Sequence, residues 1–237
     1  LGKDSHNRTA DILHLAGTAI RQKLDLGEGD IMVDSDLFDK LPKAQSPRYK
    51  NLEEFEKAIN KCTKCPLHKG RNKFVFGIGD PNADVIFVGE GPGRDEDIKG
   101  EPFVGRAGQL LDKILAAINF KRSEVYIGNV VKCRPPGNRD PEPVEMETCL
   151  PYLMEQIRLI DPKIVCCLGR IAAQALLDTK LPLGKLRGYF HEWYGRKLIV
   201  TYHPAALLRF QQYKQDTWKD VQMLRAEYDN LKAAEHI

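Results

Sequence analysis

The sequence predicts an α/β protein in which helices cover both faces of a parallel sheet. Two observations carry this reading. From residue 84 onward, short apolar runs alternate with segments of helical periodicity, the order that produces parallel strands joined by crossover helices. The runs are continuously apolar rather than alternating, as strands buried on both faces must be.

Residues 9–26 place Ile12, Leu13, Ala16, Ile20 and Leu24 at helical spacing, and Gly27 and Gly29 end the pattern. Residues 28–50 mix Gly, Asp, Ser and Pro with few periodic apolar positions and read as a linker. The chain therefore divides into an N-terminal helical extension, 1–50, and a main domain, 51–237, that opens with a short helix at 52–59. DVIFVG at 84–89 is the first strand; its terminal glycine opens into a loop over 90–105, and a helix is expected over 106–119. A second strand, 125–131, precedes a helix over 143–160; a third, 164–168, precedes a helix over 170–177. The last strand spans 197–201, and a helical tail spans 216–234. In such sheets ligands bind beyond the carboxyl ends of the strands. Three chemically unusual loops, after Gly89, Gly128 and Thr201, all leave strands at that edge and can converge on one cleft.

Lys and Arg number 36 against 33 Asp and Glu, a net charge of +3, so any nucleic-acid partner must be met by a local patch. No apolar run approaches the roughly 18 residues of a spanning helix, which excludes membrane insertion for the sequence as given. The start lacks a basic stretch followed by an apolar core, so no secretory signal is expected. A monomer in a reducing, cytoplasmic setting is the expectation, and any protein partner of the leading helix is left open.

Six cysteines are not naturally a disulfide set in that compartment. Cys166 and Cys167 lie inside the apolar strand IVCCLG and read as small buried hydrophobes. The other four lie in polar surroundings: Cys62 and Cys65 form CTKC, and Cys133 and Cys149 flank the Pro-rich loop CRPPGNRDPEP. Three readings compete for them. A redox dithiol usually sits between a strand and a helix, whereas CTKC follows a helical pattern. Zinc favours two tight pairs, and the second pair here is wide. A four-thiolate iron-sulfur cluster accommodates one close pair and two distant cysteines, and it is preferred, with zinc second. Such a group would tie the segment before the first strand to the loop after the second. Lys61, Lys64, Lys69, Arg71, Lys132, Arg134 and Arg139 surround the cysteines in sequence and would form a cationic rim able to face phosphates.

The loop GEGPGRDED places glycines after a strand, as dinucleotide-binding turns do, yet Glu90, Asp95, Glu96 and Asp97 would repel a phosphate. A flat ligand closely approached by backbone suits it better. GEGPG followed by EPFVG, then GNVVKCRPPGNRDP, then HPAALLR resembles the family 4 uracil-DNA glycosylases, the iron-sulfur branch of that superfamily. The similarity runs from about residue 51 to 228. It implies a three-layer αβα fold around a four-stranded parallel sheet. It also implies hydrolysis of the glycosidic bond of deoxyuridine in single- or double-stranded DNA, and a 4Fe-4S cluster on Cys62, Cys65, Cys133 and Cys149. A base inside a duplex hides its sugar bond, so such enzymes extrude the nucleotide and read the freed base in a pocket.

The same resemblance assigns roles. Phe103 matches the family's uracil-stacking phenylalanine. Asn129, at the end of an apolar strand, has an amide that can accept from the uracil ring N–H and donate to a carbonyl. His203 matches the histidine that donates to the carbonyl on which negative charge grows as the bond breaks. Glu90 is the carboxylate that would stabilise the oxocarbenium-like sugar, with Glu96 a secondary match, and Asn138 matches a residue that orients the water. Gly91 and Gly93 allow backbone to approach base or sugar. Leu207, Leu208 and Arg209 suit a wedge, the leucines filling the gap left by the flipped base and the cation meeting a phosphate. Asp95 and Asp97 read as helix-start or solvated charge. Gly91 and the short PPGNRDP loop differ from the covalent uracil-binding branch, which argues against suicide trapping. The alternative reading is a noncatalytic iron-sulfur module that binds DNA or senses redox state.

Overall fold

The computed structural model describes residues 49–234. The leading helix and linker expected over residues 9–50 lie outside the described residues, but for the last two positions. Helix α1, Leu52–Ile59, forms as its sequence requires. Asn51 accepts the Glu54 N–H at 2.8 Å to cap it, and Phe55 and Ile59 are buried against Phe76.

Among the described residues six strands make one sheet: β1 Ile78–Gly79, β2 Val85–Gly89, β3 Tyr126–Asn129, β4 Ile164–Leu168, β5 Phe190–Trp193 and β6 Arg196–Thr201. Their order is β1-β3-β2-β4-β6-β5. The four central strands are parallel, as the apolar runs predict, and the two edge strands pair antiparallel. These edges enlarge the four-stranded sheet that the sequence implies. β1 has only two residues, too few for any periodicity. β5 pairs back on β6 through Tyr194 and Gly195, both at positive φ (46° and 72°), the geometry of a tight hairpin turn.

Side chains alternate between the two faces. Ile86, Val88, Val165, Cys167 and Leu198 pack under helices α4, Pro143–Ile160, and α5, Arg170–Leu177. Val85, Phe87, Ile127, Cys166 and Ile199 pack under α3, Arg106–Ala117, and α8, Tyr213–Ala234. Helices thus bury both faces, and Cys166 and Cys167 are fully enclosed, one on each side, where burial pushes both thiols well above their ordinary range.

Three short helices lie in segments that the sequence suggests are loops or leaves unassigned: α2, Arg94–Lys99, α6, Leu183–Leu186, and α7, Pro204–Arg209. Each is too brief to show an amphipathic repeat. Helix α3 stops two residues before the expected end at 119, and α8 begins three residues before 216. Among the described residues no helix is long and apolar enough to cross a membrane.

Candidate active site

Gly89 ends β2 and Asn129 ends β3, and the two are direct partners across the parallel ladder. On the far side of β4 from β2, β6 ends at Thr201, two residues before His203. These three endings open on one cavity of about 390 Å³. Glu90, Glu96, Phe103, Asn129, Asn138 and His203 line it, with Gly91, Gly93 and Arg209 also on its wall.

Asn129 is 2% exposed, and its Oδ1 is buried without a hydrogen-bond partner among the described residues. A buried acceptor left this way costs about 1–3 kcal/mol, so it is poised for a donor that enters the cavity. Its backbone carbonyl accepts from the Lys132 Nζ at 2.9 Å. The Lys132 ammonium also donates to Gln156, whose amide donates at 3.0 Å to the Tyr126 hydroxyl and to the Phe76 carbonyl. Lys132 is therefore a wholly buried strut behind the cavity and no part of a cationic rim.

Phe103 lies 5.4 Å from the His203 ring, tilted by 31°. Its backbone adopts φ 53°, a left-handed conformation unusual for an aromatic residue. Two features hold it there. The Glu96 Oε1 accepts from the Val104 and Gly105 N–H groups, both at 2.9 Å. Gly108 in α3 packs so tightly on the Phe103 carbonyl that a Cβ there would overlap it. Glu96 is thus committed to the loop rather than free in the cavity. Asp97, read as helix-start or solvated charge, does lie in the first turn of α2 but is buried rather than solvated; it accepts from the Asn72 N–H and side-chain amide and anchors α2 to the chain before the sheet.

His203 caps α7, its Nδ1 accepting from the Ala205 N–H at 3.1 Å. A backbone N–H can only donate, so the proton of the neutral ring is on Nε2. Burial lowers the His203 pKa to about 4, against a smaller upward pull from Glu96. The ring is neutral at physiological pH and offers one N–H.

Glu90 is lifted to about 7, first by burial and second by the Asp140 carboxylate, with Arg170 opposing. Asp140, itself a lining residue, pairs with Arg170 at 2.5 Å. Asn138 is exposed at φ 56° and accepts from the Arg134 Nε at 2.7 Å. Arg139 is held by Glu145 through two bonds of 2.8 Å. Arg209 and Leu208 are exposed, whereas Leu207 is 2% exposed and packed inward, so of the two leucines only Leu208 stands at the surface.

Gly89, Asp140 and Lys132 are the residues that sequence reasoning misses in these roles. A Cβ on Gly89 would lie 2.5 Å from the Asn129 Oδ1 and 2.6 Å from the Phe103 Cζ. The absent side chain leaves room for both. Its place at the strand end opposite Asn129 is the available signal; Asp140 and Lys132 leave none in a single sequence.

Cys62, Cys65, Cys133 and Cys149 line a second, smaller pocket, and none forms a disulfide. Donors point at the sulfurs: the Arg71 Nη1 at 3.2 Å from the Cys133 Sγ, the Tyr152 hydroxyl at 3.3 Å from the Cys62 Sγ, and the Lys132 N–H at 3.3 Å from the Cys149 Sγ. Arg71 also donates to the Cys62 carbonyl, so it serves this pocket and not an outer rim. Among the described residues no three His, Cys, Asp or Glu side chains converge on a single-ion position.

The family model for the uracil DNA glycosylase superfamily matches residues 76–222. A type-4 uracil-DNA glycosylase of Archaeoglobus fulgidus is 46% identical over 178 residues, covering 72% of this chain and 89% of that protein. One from Thermotoga maritima is 46% identical over 160 residues, covering 67% and 83%. A type-5 uracil-DNA glycosylase of Thermus thermophilus is 31% identical over 149 residues, covering 54% and 68%.

Proposed function

The chain belongs to the uracil DNA glycosylase superfamily, and on that premise we propose that it excises uracil from DNA, leaving an abasic site. It is a DNA-repair hydrolase of the type-4 branch. The observation that carries the reading at residue level is the orphaned Asn129 Oδ1, buried in a cavity shared with Phe103 and His203.

An everted uracil stacks on Phe103, an interaction of about 1–3 kcal/mol for an aromatic face and a base. The Asn129 Oδ1 accepts from the ring N3–H while its Nδ2 donates to O4, a pattern that cytosine reverses. The N1–C1′ bond breaks with its electron pair moving into the base, and charge accumulates on O2. The His203 Nε2–H donates to that oxygen. A neutral imidazole suits the task because it strengthens its bond as charge develops without needing a proton from solvent. Glu90, as the carboxylate, stabilises the cationic sugar; water adds to C1′ and loses its proton to Glu90 or to solvent. Asn138 would orient that water. Glu96 acts by holding the Phe103 loop, a positioning role. Leu208 and Arg209 suit the wedge and the phosphate contact.

Cys62, Cys65, Cys133 and Cys149 would hold a 4Fe-4S cluster. Four thiols free of disulfides, three of them met by N–H or O–H donors, support this, and a polynuclear group needs no single point of convergence, whereas zinc requires four sulfurs about 2.3 Å from one ion. When bound, such a group supplies a covalent tie between the segment before β1 and the loop after β3. Every residue proposed for catalysis lies within 51–237, so no chemistry is assigned to 1–50, and action as a monomer is part of the proposal.

The test is a defined oligonucleotide with a single uracil, incubated with cluster-loaded protein and cleaved with alkali. Cleavage at the uracil is expected. An intact strand, with DNA binding retained, would favour a noncatalytic module.

A further inference from the structure

Beside the cavity the chain builds an aromatic stack that the roles above leave unused. Tyr202, between β6 and His203, lies face to face with Tyr213 at the start of α8, with centroids 4.2 Å apart and planes 8° from parallel. Phe210 follows at 5.7 Å from Tyr213. The Arg187 guanidinium also sits 5.4 Å over the Tyr202 ring. Arg187 is itself fixed, donating to both oxygens of the buried Asp220 at 3.0 and 2.8 Å. The Thr201 hydroxyl donates to the same carboxylate at 2.7 Å.

The stack ends in the open. Phe210 is 47% exposed, yet its backbone is pinned between two helices: its N–H donates to the Ala206 carbonyl at 2.8 Å and its carbonyl accepts from the Tyr213 N–H at 3.3 Å. Phe210 also lines the base cavity, adjoining Arg209 on the same wall, and Arg209 makes no ion pair among the described residues. An exposed ring on a pinned backbone, beside a cation with no ion pair among the described residues, on the wall of a base pocket has the composition of a single-strand nucleic-acid platform. The pinned backbone matters, since a preformed surface loses little conformational freedom when a ligand arrives. A core role does not account for Phe210, because nearly half of it is in water.

Resting on the uracil-excision reading, we infer that Phe210 is a stacking site for the nucleobase adjacent to the flipped uracil, with Arg209 on the phosphate between the two nucleotides. The site favours substrate whose flanking base is free to unstack, which is single-stranded or frayed DNA.

A binding cycle tests it. The probe is a single-stranded oligonucleotide carrying one 2′-fluoro-deoxyuridine, whose glycosidic bond resists cleavage, with its neighbours either normal or replaced one at a time by an abasic tetrahydrofuran. Kd is read by fluorescence anisotropy for wild type, Phe210→Ala, Phe210→Leu and Phe210→Trp, each first checked for an unchanged thermal melt. Phe210→Ala should weaken binding about 5- to 100-fold. One abasic neighbour should weaken wild type by a similar factor and leave Phe210→Ala nearly unaffected. Phe210→Trp should bind as wild type, and Phe210→Leu should not. The inference is overturned if Phe210→Ala binds like wild type, if the two losses multiply, or if Phe210→Leu restores affinity, which would mark an apolar wedge. Uracil release from ordinary substrate by wild type is measured alongside. Its failure would overturn the excision reading, whereas intact release with an indifferent Phe210→Ala would overturn only the platform.

Discussion

Glu90→Gln removes a charge from the cavity while keeping its shape. Burial, and then the Asp140 carboxylate, lift Glu90 from its ordinary 4.5 to about 7. A carboxyl raised in this way contributes stability that is complete below its unfolded pKa and is lost as pH climbs through its folded one. Glu90 therefore erodes wild-type stability between about pH 4.5 and 7. That interval is worth at most about 3.4 kcal/mol, and solvent reaching the partly open group reduces it to roughly 1.5 kcal/mol. Relative to wild type, Glu90→Gln should gain about 1.5 kcal/mol more at pH 8.5 than at pH 5. Its single-turnover rate should fall about 10²-fold, because an amide cannot answer a developing cation. Urea unfolding at the two pH values, with equal m-values, measures the first effect, and uracil release measures the second. An equal stability difference at both pH values would refute the burial argument; an undiminished rate would remove Glu90 from the chemistry.

Wild-type kcat/KM should rise with pH through about 7, with no histidine limb between pH 5.5 and 8, since His203 is held near 4; a loss of activity on ionising a group near 7 would reverse the assignment of Glu90 as the working anion. Asn129→Asp should lower excision by about 10²-fold or more, because a carboxylate facing O4 has no donor, and rates matching wild type would take Asn129 out of base reading. Gly89→Ala should cost about 10²-fold in kcat/KM, since its new Cβ displaces the Asn129 amide or the Phe103 ring; a crystal structure with both side chains unmoved would contradict this. Cys133→Ala should lower the yield of folded protein more than it alters base preference, and a well-folded variant with changed preference would count against a structural role for the thiols.

The central strands are readable from sequence because each is a continuous apolar run sealed on both faces, so neither packing partner can disguise it. Ile164–Leu168 and Pro143–Ile160 emerge with their observed limits. The edges are less readable. β5 carries only intermediate or exposed residues until Trp193, so its strand character comes from pairing with β6 rather than from its own pattern. The convergence of Glu90, Asn129 and His203 on one cavity follows from their places after parallel strands. What sequence does not carry is which acid is engaged elsewhere. Glu96 and Asp97 are adjacent and look alike in the loop, yet one hooks residues 104 and 105 and the other holds Asn72. Lys132 illustrates the same gap. Among so many cations, only the fold reveals that this one is buried behind Asn129.

The left-handed turn at Phe103 has a bearing on how undamaged DNA is handled. An aromatic residue in that conformation is unfavourable by about 1 kcal/mol or more, and it persists because Glu96 and Gly108 leave it nowhere to relax. A shelf so braced does not drift to meet a visitor. An ill-matched nucleotide must do all the adjusting itself, and nothing in the shelf has to recover before the next one is sampled.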